Sequence, residues 1–262
     1  MMMTILDQLA EHARQRVAVA RTISPMEDIR REALLLPNGD FPFERALSGD
    51  DLAFICECKR ASPSKGMIAP EFPYLDIAKD YEVAGAEAIS VLTEPKWLLG
   101  SDDYLREIAA SVAIPCLRKD FTVDEYMLYQ AKLLGASAAL LICAILDGAE
   151  LMDYIQICDG LGLSALVEAH DEAEVEMALK AGAKIIGVNN RNLKDFTVDT
   201  GNSRRLRAMI PRNILFVSES GVKDAADVQA ARAMGADAVL VGEALMRAPD
   251  RKAKLMELRG TA

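Results

Sequence analysis

Ala84-Gly85-Ala86-Glu87-Ala88-Ile89 closes an amphipathic segment with a glycine, turns through an alanine and enters an apolar run. The same form returns as Leu134-Gly135-Ala136-Ser137-Ala138-Ala139, Ala181-Gly182-Ala183-Lys184-Ile185-Ile186 and Met234-Gly235-Ala236-Asp237-Ala238-Val239. A glycine just past a helix end supplies the left-handed residue that terminates it. Self-similarity at a regular period marks a repeated supersecondary unit. Outward from these turns, short apolar runs at 53–58, 88–92, 114–118, 138–143, 164–168, 184–189, 214–218 and 238–242 alternate with helical patterns. The helical patterns lie near 74–84, 102–111, 123–134, 148–160, 171–181, 202–209, 224–234 and 244–258. The glycine turns precede the second, fourth, sixth and eighth runs. Strand–helix units in this number and length predict an α/β fold, a closed (β/α)8 TIM barrel. Near-continuous apolar strands fit a parallel sheet covered by helices. The even spacing argues against a two-domain doubly wound fold, and no Ser/Gly-rich linker marks a boundary.

The expected organisation is a single domain over 1–262, with an N-terminal helical extension at 1–50 and the barrel at 51–262. Residues 4–36 read as helical, with Ser24 as an N-cap and Pro25 at the first helical position of a second segment. Pro37-Asn38-Gly39-Asp40 breaks that pattern, and Phe41-Pro42-Phe43 leads into a short turn ending at Gly49-Asp50-Asp51. The extension is expected to pack across one end of the barrel.

A hydrophobic content of 51% with 27% charged residues is that of a soluble globular chain. No apolar run is long enough to span a bilayer. The first residues, Met1-Met2-Met3-Thr4-Ile5-Leu6-Asp7, lack a basic region ahead of an apolar core, so no secretory signal is read and a cytoplasmic location is expected. A net charge of −10 argues against nucleic-acid and anionic-membrane surfaces. An anionic substrate then needs its cations gathered locally, and Arg60, Lys65, Arg118, Lys119 and Arg191 all fall near strand ends. Cys56, Cys58, Cys116, Cys143 and Cys158 read as small buried hydrophobes rather than ligands or disulfides. His12 and His170 are too few and too far apart for a His-rich metal site.

In such barrels the active site forms at the C-terminal ends of the strands. The first strand brings Glu57 and Lys59 there on one face, with Phe54, Cys56 and Cys58 on the other. The pair reads either as a buried ion pair or as a catalytic acid/base pair. The third strand gives Lys119, the fifth Glu168, the sixth Asn189, Asn190 and Arg191, the seventh Glu219 and Ser220, and the eighth Gly242 and Glu243. A packed core does not account for polar groups at the same end of six strands. Ser220-Gly221 and Gly242-Glu243 follow strands seven and eight, where loops hold phosphate with backbone N–H groups; Glu243 is assigned only its backbone N–H. Two lysines in a partly desolvated pocket serve as general acids, carboxylate clamps or Schiff-base nucleophiles. His170 reads as a solvated or locally bonded histidine. Trp97 either lines an apolar pocket or caps the barrel, and Ser64-Lys65-Gly66 is either a closing loop or a plain turn. The residues alone thus point to a barrel enzyme, without metal or cofactor, acting on a phosphorylated and carboxylated small molecule.

Glu57-Cys58-Lys59-Arg60-Ala61-Ser62-Pro63-Ser64-Lys65-Gly66 resembles the signature of the indole-3-glycerol phosphate synthase family. So do Leu117-Arg118-Lys119-Asp120-Phe121, Leu166-Val167-Glu168-Ala169-His170, Gly187-Val188-Asn189-Asn190-Arg191-Asn192-Leu193, Ser218-Glu219-Ser220-Gly221 and Val241-Gly242-Glu243-Ala244-Leu245-Met246. The resemblance implies tryptophan biosynthesis. It implies ring closure, decarboxylation and dehydration of 1-(2-carboxyphenylamino)-1-deoxyribulose 5-phosphate, with no cofactor. It makes Lys119 the general acid at the ketone oxygen and Lys59 the partner of the substrate's acidic end and an acid in dehydration. Glu168 handles the dehydration proton, and Glu57 and Asn189 orient lysine and substrate hydroxyls. Ser62, Phe121, Arg191, Leu193, Glu219, Ser220, Gly221, Gly242 and Glu243 become substrate and phosphate contacts. The implied partners are the phosphorylated substrate and, weakly, other enzymes of the pathway; a monomer is expected because no long exposed apolar helix face stands out in the sequence.

The sequence departs from the family in two places that bear on the site. Leu98 stands where the family usually has phenylalanine, with Trp97 beside it as a replacement aromatic. Ala13-Arg14-Gln15-Arg16-Val17 stands where a lysine and a glutamate are more usual. Two other functions fit the fold. A Schiff-base aldolase or sugar-phosphate lyase predicts borohydride trapping with substrate. A non-catalytic metabolite-binding barrel predicts loss of the acid/base residues, yet Lys59, Lys119, Glu57 and Glu168 are all present.

Overall fold

The computed structural model describes residues 4–192 and 196–260. Eight parallel strands close on one another: β1 Ala53–Cys58, β2 Ala88–Leu92, β3 Cys116–Lys119, β4 Ala138–Ile142, β5 Ser164–Ala169, β6 Ile185–Asn189, β7 Leu215–Glu219 and β8 Ala238–Val241. Their order around the barrel is their order in the chain, with β8 pairing back onto β1 through Ala53↔Ala238 to Cys56↔Val241. The helices are α1 Ile5–Ile23, α2 Met26–Leu35, α3 Pro42–Leu47, α4 Tyr74–Val83, α5 Asp102–Ser111, α6 Tyr126–Leu133, α7 Gly148–Leu161, α8 Glu172–Lys180, α9 Gly201–Arg207, α10 Ala225–Ala233, α11 Glu243–Met246 and α12 Arg251–Arg259.

The repeated glycine does what its position in sequence requires. Gly85, Gly135, Gly182 and Gly235 take φ of 85°, 83°, 86° and 76°, the left-handed region that ends a helix without a Cβ clash. Strand side chains then alternate between two cores. Ile55, Ala88, Leu117, Leu140, Leu166, Ile185, Val217 and Leu240 pack inside the barrel. Phe54, Cys56, Cys58, Ile89, Val91, Cys116 and Val239 face the helices. The β1 faces are therefore those the alternation predicts.

The boundaries differ where proline decides. β3 begins at Cys116 rather than at 114, because Pro115 has no N–H for the ladder, and Lys119 consequently ends the strand. The last helical stretch breaks into α11 and α12 around Pro249. Ser24 is the C-cap of α1, and Pro25 is itself the N-cap of α2 with no side-chain cap bond, so Ser24 is not the cap the sequence suggested. The turn expected after Phe41 is the short helix α3.

The extension does not cover one end only. Phe43 and Leu47 of α3 are fully buried with the barrel interior and close its N-terminal end. α2 packs on α6 at the side. α1 crosses the opposite end and is pinned there by two buried carboxylates. Arg16 donates to Asp120 Oδ2 and Oδ1 at 3.0 and 2.6 Å, and His12 Nδ1 lies 3.1 Å from Glu94 Oε1. Glu94 also accepts the backbone N–H groups of Lys96, Trp97 and Leu98, which fixes the loop after β2. Among the described residues, no helix is long and apolar enough to cross a membrane.

Candidate active site

A cavity of about 670 Å³ opens at the C-terminal ends of the strands. Alternation carries the inward face of each strand up to it, so the layer above the apolar interior is polar: Glu57, Ser90, Lys119, Glu168, Asn189 and Glu219. Every described residue given a catalytic or substrate-contact role in the sequence lines this cavity: Lys119, Glu168, Lys59, Glu57, Asn189, Ser62, Phe121, Arg191, Glu219, Ser220, Gly221, Gly242 and Glu243. Leu193 lies outside the described residues. Ser64 and Lys65 line it too, from a small hairpin pairing Ala61–Ser62 with Gly66–Met67, so this segment is an ordered turn over the mouth.

Three buried carboxylates and two partly buried lysines form one cluster. Lys119 Nζ donates to Glu168 Oε2 at 2.9 Å and stands 3.4 Å from Glu219 Oε2. Lys59 pairs with Glu57 Oε1, and Ser90 Oγ donates to Glu57 Oε2 at 3.4 Å. Asn189 Nδ2 donates to Glu168 Oε1 at 3.2 Å. Glu57, Glu168 and Glu219 are each 2% exposed. Burial alone would lower the Lys119 pKa, but the Glu168, Glu219 and Glu57 carboxylates outweigh it and hold the ammonium charged well above the ordinary lysine value. The same environment splits two carboxyls. Burial would raise Glu168, yet Lys119, His170 and its hydrogen bonds pull it below the usual range. Glu219 is pushed up by burial, with the Glu168 charge adding to it against the pull of Lys119. The two carboxyls are thus pushed in opposite directions, Glu168 toward the carboxylate and Glu219 toward the acid, with Lys119 between them.

Two glycines make the room. A Cβ on Gly187, the inward position of β6, would overlap Glu219 Oε1, and one on Gly242 would sit 2.6 Å from Glu57 Oε1. Gly187→Ala is therefore expected to displace the Glu219 carboxyl and lower kcat about 100-fold, the scale of a misplacement of about 1 Å. Steady-state kinetics beside a urea melt checks this, and a kcat within twofold of wild type would contradict it.

The β7 loop is held in an uncommon conformation. Ser220 has φ 64° and Gly221 φ 106°, and a Cβ on Gly221 would meet Thr200 Cγ2 at 2.6 Å. Ser220 Oγ donates to Asn189 Oδ1 at 3.0 Å, and Asn190 Nδ2 donates to Ser220 O at 3.0 Å. Asn190, one of the polar groups after strand six, is buried behind the loop and fixes it rather than lining the cavity. On β8 the first N–H groups of α11 have no partner within the helix. The Glu243 carboxylate accepts from Arg247 Nε at 3.0 Å, and both residues line the cavity.

The local gathering of cations differs in membership from the sequence reading. Lys59, Lys65, Lys119 and Arg191 line the cavity. Arg118 does not; it lies on the outward face of β3, bonded to Asp102 and to Met127 O at 2.9 Å each, because consecutive strand residues point opposite ways. Arg60 is not among the lining residues either. Lys223, Arg247 and Lys254 join from the β7 and β8 side, and Ile5, Leu6 and Leu9 from α1. No strand-end pattern marks these, since they lie one or more turns into loops or on helices. Leu98 lines the cavity, whereas Trp97 packs edge-on to His12 of α1 at 5.4 Å, so the indole does not replace the missing aromatic. His170 is locally bonded as expected, its Nδ1 3.0 Å from Glu174 Oε2, but its Nε2 also faces Glu168 Oε1 at 3.4 Å. Among the described residues, no group of three or more His, Cys, Asp and Glu side chains is arranged to hold a metal ion.

A family model described as indole-3-glycerol phosphate synthase matches residues 6–258. The indole-3-glycerol phosphate synthase of Ruminiclostridium cellulolyticum is 56% identical over 259 residues, covering 98% of this chain and 100% of the relative. That of Leuconostoc mesenteroides subsp. mesenteroides is 50% identical over 259 residues, covering 98% and 99%. A solved structure of 3-hexulose-6-phosphate synthase superposes with a TM-score of 0.64 at 16% identity, covering 80% of this chain and 99% of the other, a likeness of fold alone.

Proposed function

The chain belongs to the indole-3-glycerol phosphate synthase family, and on that premise we propose how its residues divide the reaction. The enzyme is a carboxy-lyase of tryptophan biosynthesis that closes the pyrrole ring of 1-(2-carboxyphenylamino)-1-deoxyribulose 5-phosphate and releases carbon dioxide and water.

Lys119 is the general acid of ring closure. Attack of the aromatic carbon on the ketone breaks aromaticity, so the reaction needs a cation at the developing alkoxide. The observation that carries this assignment is the partly buried Lys119 ammonium held between the buried Glu168 and Glu219 at 2.9 and 3.4 Å. Loss of carbon dioxide returns the bond electrons to the ring and restores aromaticity. Lys59, steadied by Glu57, binds the substrate's acidic end and protonates the departing hydroxyl. Glu168, ionised and oriented by Asn189, removes the ring-carbon proton in that dehydration. Ser62, Arg191, Ser220, Gly221, Gly242 and the Glu243 N–H hold the phosphate and sugar hydroxyls, Phe121 borders the substrate ring, and Glu219 fixes Lys119. The chain acts as one domain and as a cytoplasmic monomer, associating weakly at most with other enzymes of the pathway.

The test of this division is a single turnover of Glu168→Gln with carboxyl-labelled substrate. Labelled carbon dioxide is expected at near the wild-type rate, without the rise in indole fluorescence, since only dehydration is blocked. Failure of both signals would move Glu168 to ring closure, and both at wild-type rate would remove it from the chemistry.

A further inference from the structure

The reaction consumes a proton. The substrate carboxylate leaves as neutral carbon dioxide, and the ketone oxygen leaves as water with two hydrogens, only one of which comes from the ring carbon. One proton must therefore reach a cluster whose carboxylates are each 2% exposed and whose Lys119 side chain is 15% exposed. We propose that His170 is the relay that supplies it, joining Glu168 to solvent through Glu174.

The geometry forms a continuous line. Glu174 on α8, with a side chain 19% exposed, bonds His170 Nδ1 at 3.0 Å. The imidazole Nε2 is buried, has no hydrogen-bond partner, and faces Glu168 Oε1 at 3.4 Å. The other oxygen of Glu168, Oε2, holds Lys119 at 2.9 Å. The backbone of His170 is clamped on both sides of the ring. Its N–H donates to Glu174 at 2.7 Å, and its carbonyl accepts from Asn202 of α9 at 3.0 Å. A group kept only for packing would not leave a buried nitrogen unpaired against a carboxylate.

The transfer balances. Lys119 and Lys59 each give up one proton, and Glu168 gains one from the ring carbon. That proton returns to one lysine. The Nε2–H bond of His170 then breaks as an O–H bond forms on Glu168, and the relayed proton restores the other lysine. After the neutral ring shifts its remaining proton from Nδ1 to Nε2, Nδ1 takes one from solvent by way of Glu174, which restores the imidazolium. The charges facing the ring are Glu168 from β5, Glu174 from α8 and Glu219 from β7; burial opposes the imidazolium, but these carboxylates outweigh it and raise His170 above the ordinary imidazole value. The relay therefore stays loaded to a higher pH than an ordinary imidazole would and empties as pH rises through that raised value.

The proposal rests on Glu168 as the dehydration base, and stopped-flow indole fluorescence of His170→Asn separates the two. The enzyme starts with its protons in place, so the first turnover is expected at the wild-type rate. Later turnovers are expected about 100-fold slower, the lower end of what positioned proton transfer supplies. The slow phase should quicken with added imidazole, and the alkaline limb of the wild-type kcat profile should be absent. Glu174→Gln, which keeps the ring contact without the titrating charge, should show the same burst in weaker form and carries the test if His170→Asn does not fold. An unchanged steady state, or a first turnover already slow and indifferent to imidazole, would overturn the relay. Full turnover by Glu168→Gln would instead overturn the base assignment, whatever His170 does.

Discussion

Lys119→Met is expected to lower kcat by about 1,000- to 10,000-fold, the upper range for a positioned acid. Two effects combine in that number, and they can be separated. The first is chemical: among the described residues no other ammonium stands between Glu168 and Glu219, at 2.9 and 3.4 Å. The second is structural. Removing the cation from a buried group of three carboxylates leaves uncompensated charge, which costs about 3–5 kcal/mol. Glu168, held ionised chiefly by Lys119, should take up a proton in the variant, so the stability deficit should shrink as pH falls. Lys119→Arg restores the charge but not the acid, because guanidinium does not give up its proton in proteins. The expected pattern is a stability close to wild type for Lys119→Arg with activity as low as the methionine variant. Urea melts and indole fluorescence on the same preparations decide it. Recovery of activity by arginine to within tenfold would return Lys119 to a binding role.

Alternation makes much of this legible from the chain. A period of two places Glu57 and Lys59 on one face, and the repeated glycine turns set where each strand starts, so the polar layer follows once the fold is read. The same rule, applied to β3, separates Lys119 from Arg118; reading both as strand-end cations overlooks that neighbours diverge. What stays hidden are contacts between elements far apart in sequence. Gly187 looks like any strand glycine until Glu219 occupies its missing side chain. His170 is the exception, since both its partners are local, Glu168 two residues back at Nε2 and Glu174 four residues on at Nδ1. Trp97 reads as either a pocket residue or a cap, and it is α1, through His12, that takes it away from the cavity; nothing in a linear reading places α1 there. Read as one unit, the extension belongs at one end of the barrel. Its helices in fact close the bottom with Phe43 and Leu47 and cross the mouth with α1.

That crossing gives the second large effect, which is on stability. Asp120 is 1% exposed and collects Arg16 of α1 through both oxygens, Thr93 Oγ1 at 2.6 Å and its own neighbour Phe121 N at 2.8 Å, with Arg118 at 3.7 Å. Asp120→Ala leaves two guanidiniums facing a void, and the expected loss is about 3–5 kcal/mol in urea unfolding. Because Ile5, Leu6 and Leu9 of α1 line the cavity, KM should rise with it. Burial alone would raise the Asp120 pKa, but Arg16, its hydrogen bonds and Arg118 outweigh that and hold it below the usual carboxylate range. The sign follows by linkage. The depressed value means that Asp120 stabilises the fold above the unfolded pKa of about 3.9, and that this stability is lost as pH falls through the folded value. Asp120→Asn, which keeps shape and two hydrogen-bonding atoms, should therefore be less stable than wild type at neutral pH and should flatten the acid limb of the stability curve. Wild type and Asp120→Asn should converge at the most acid pH at which both remain folded. Parallel curves with a constant offset would mean that Asp120 holds α1 by shape and hydrogen bonding rather than by its charge.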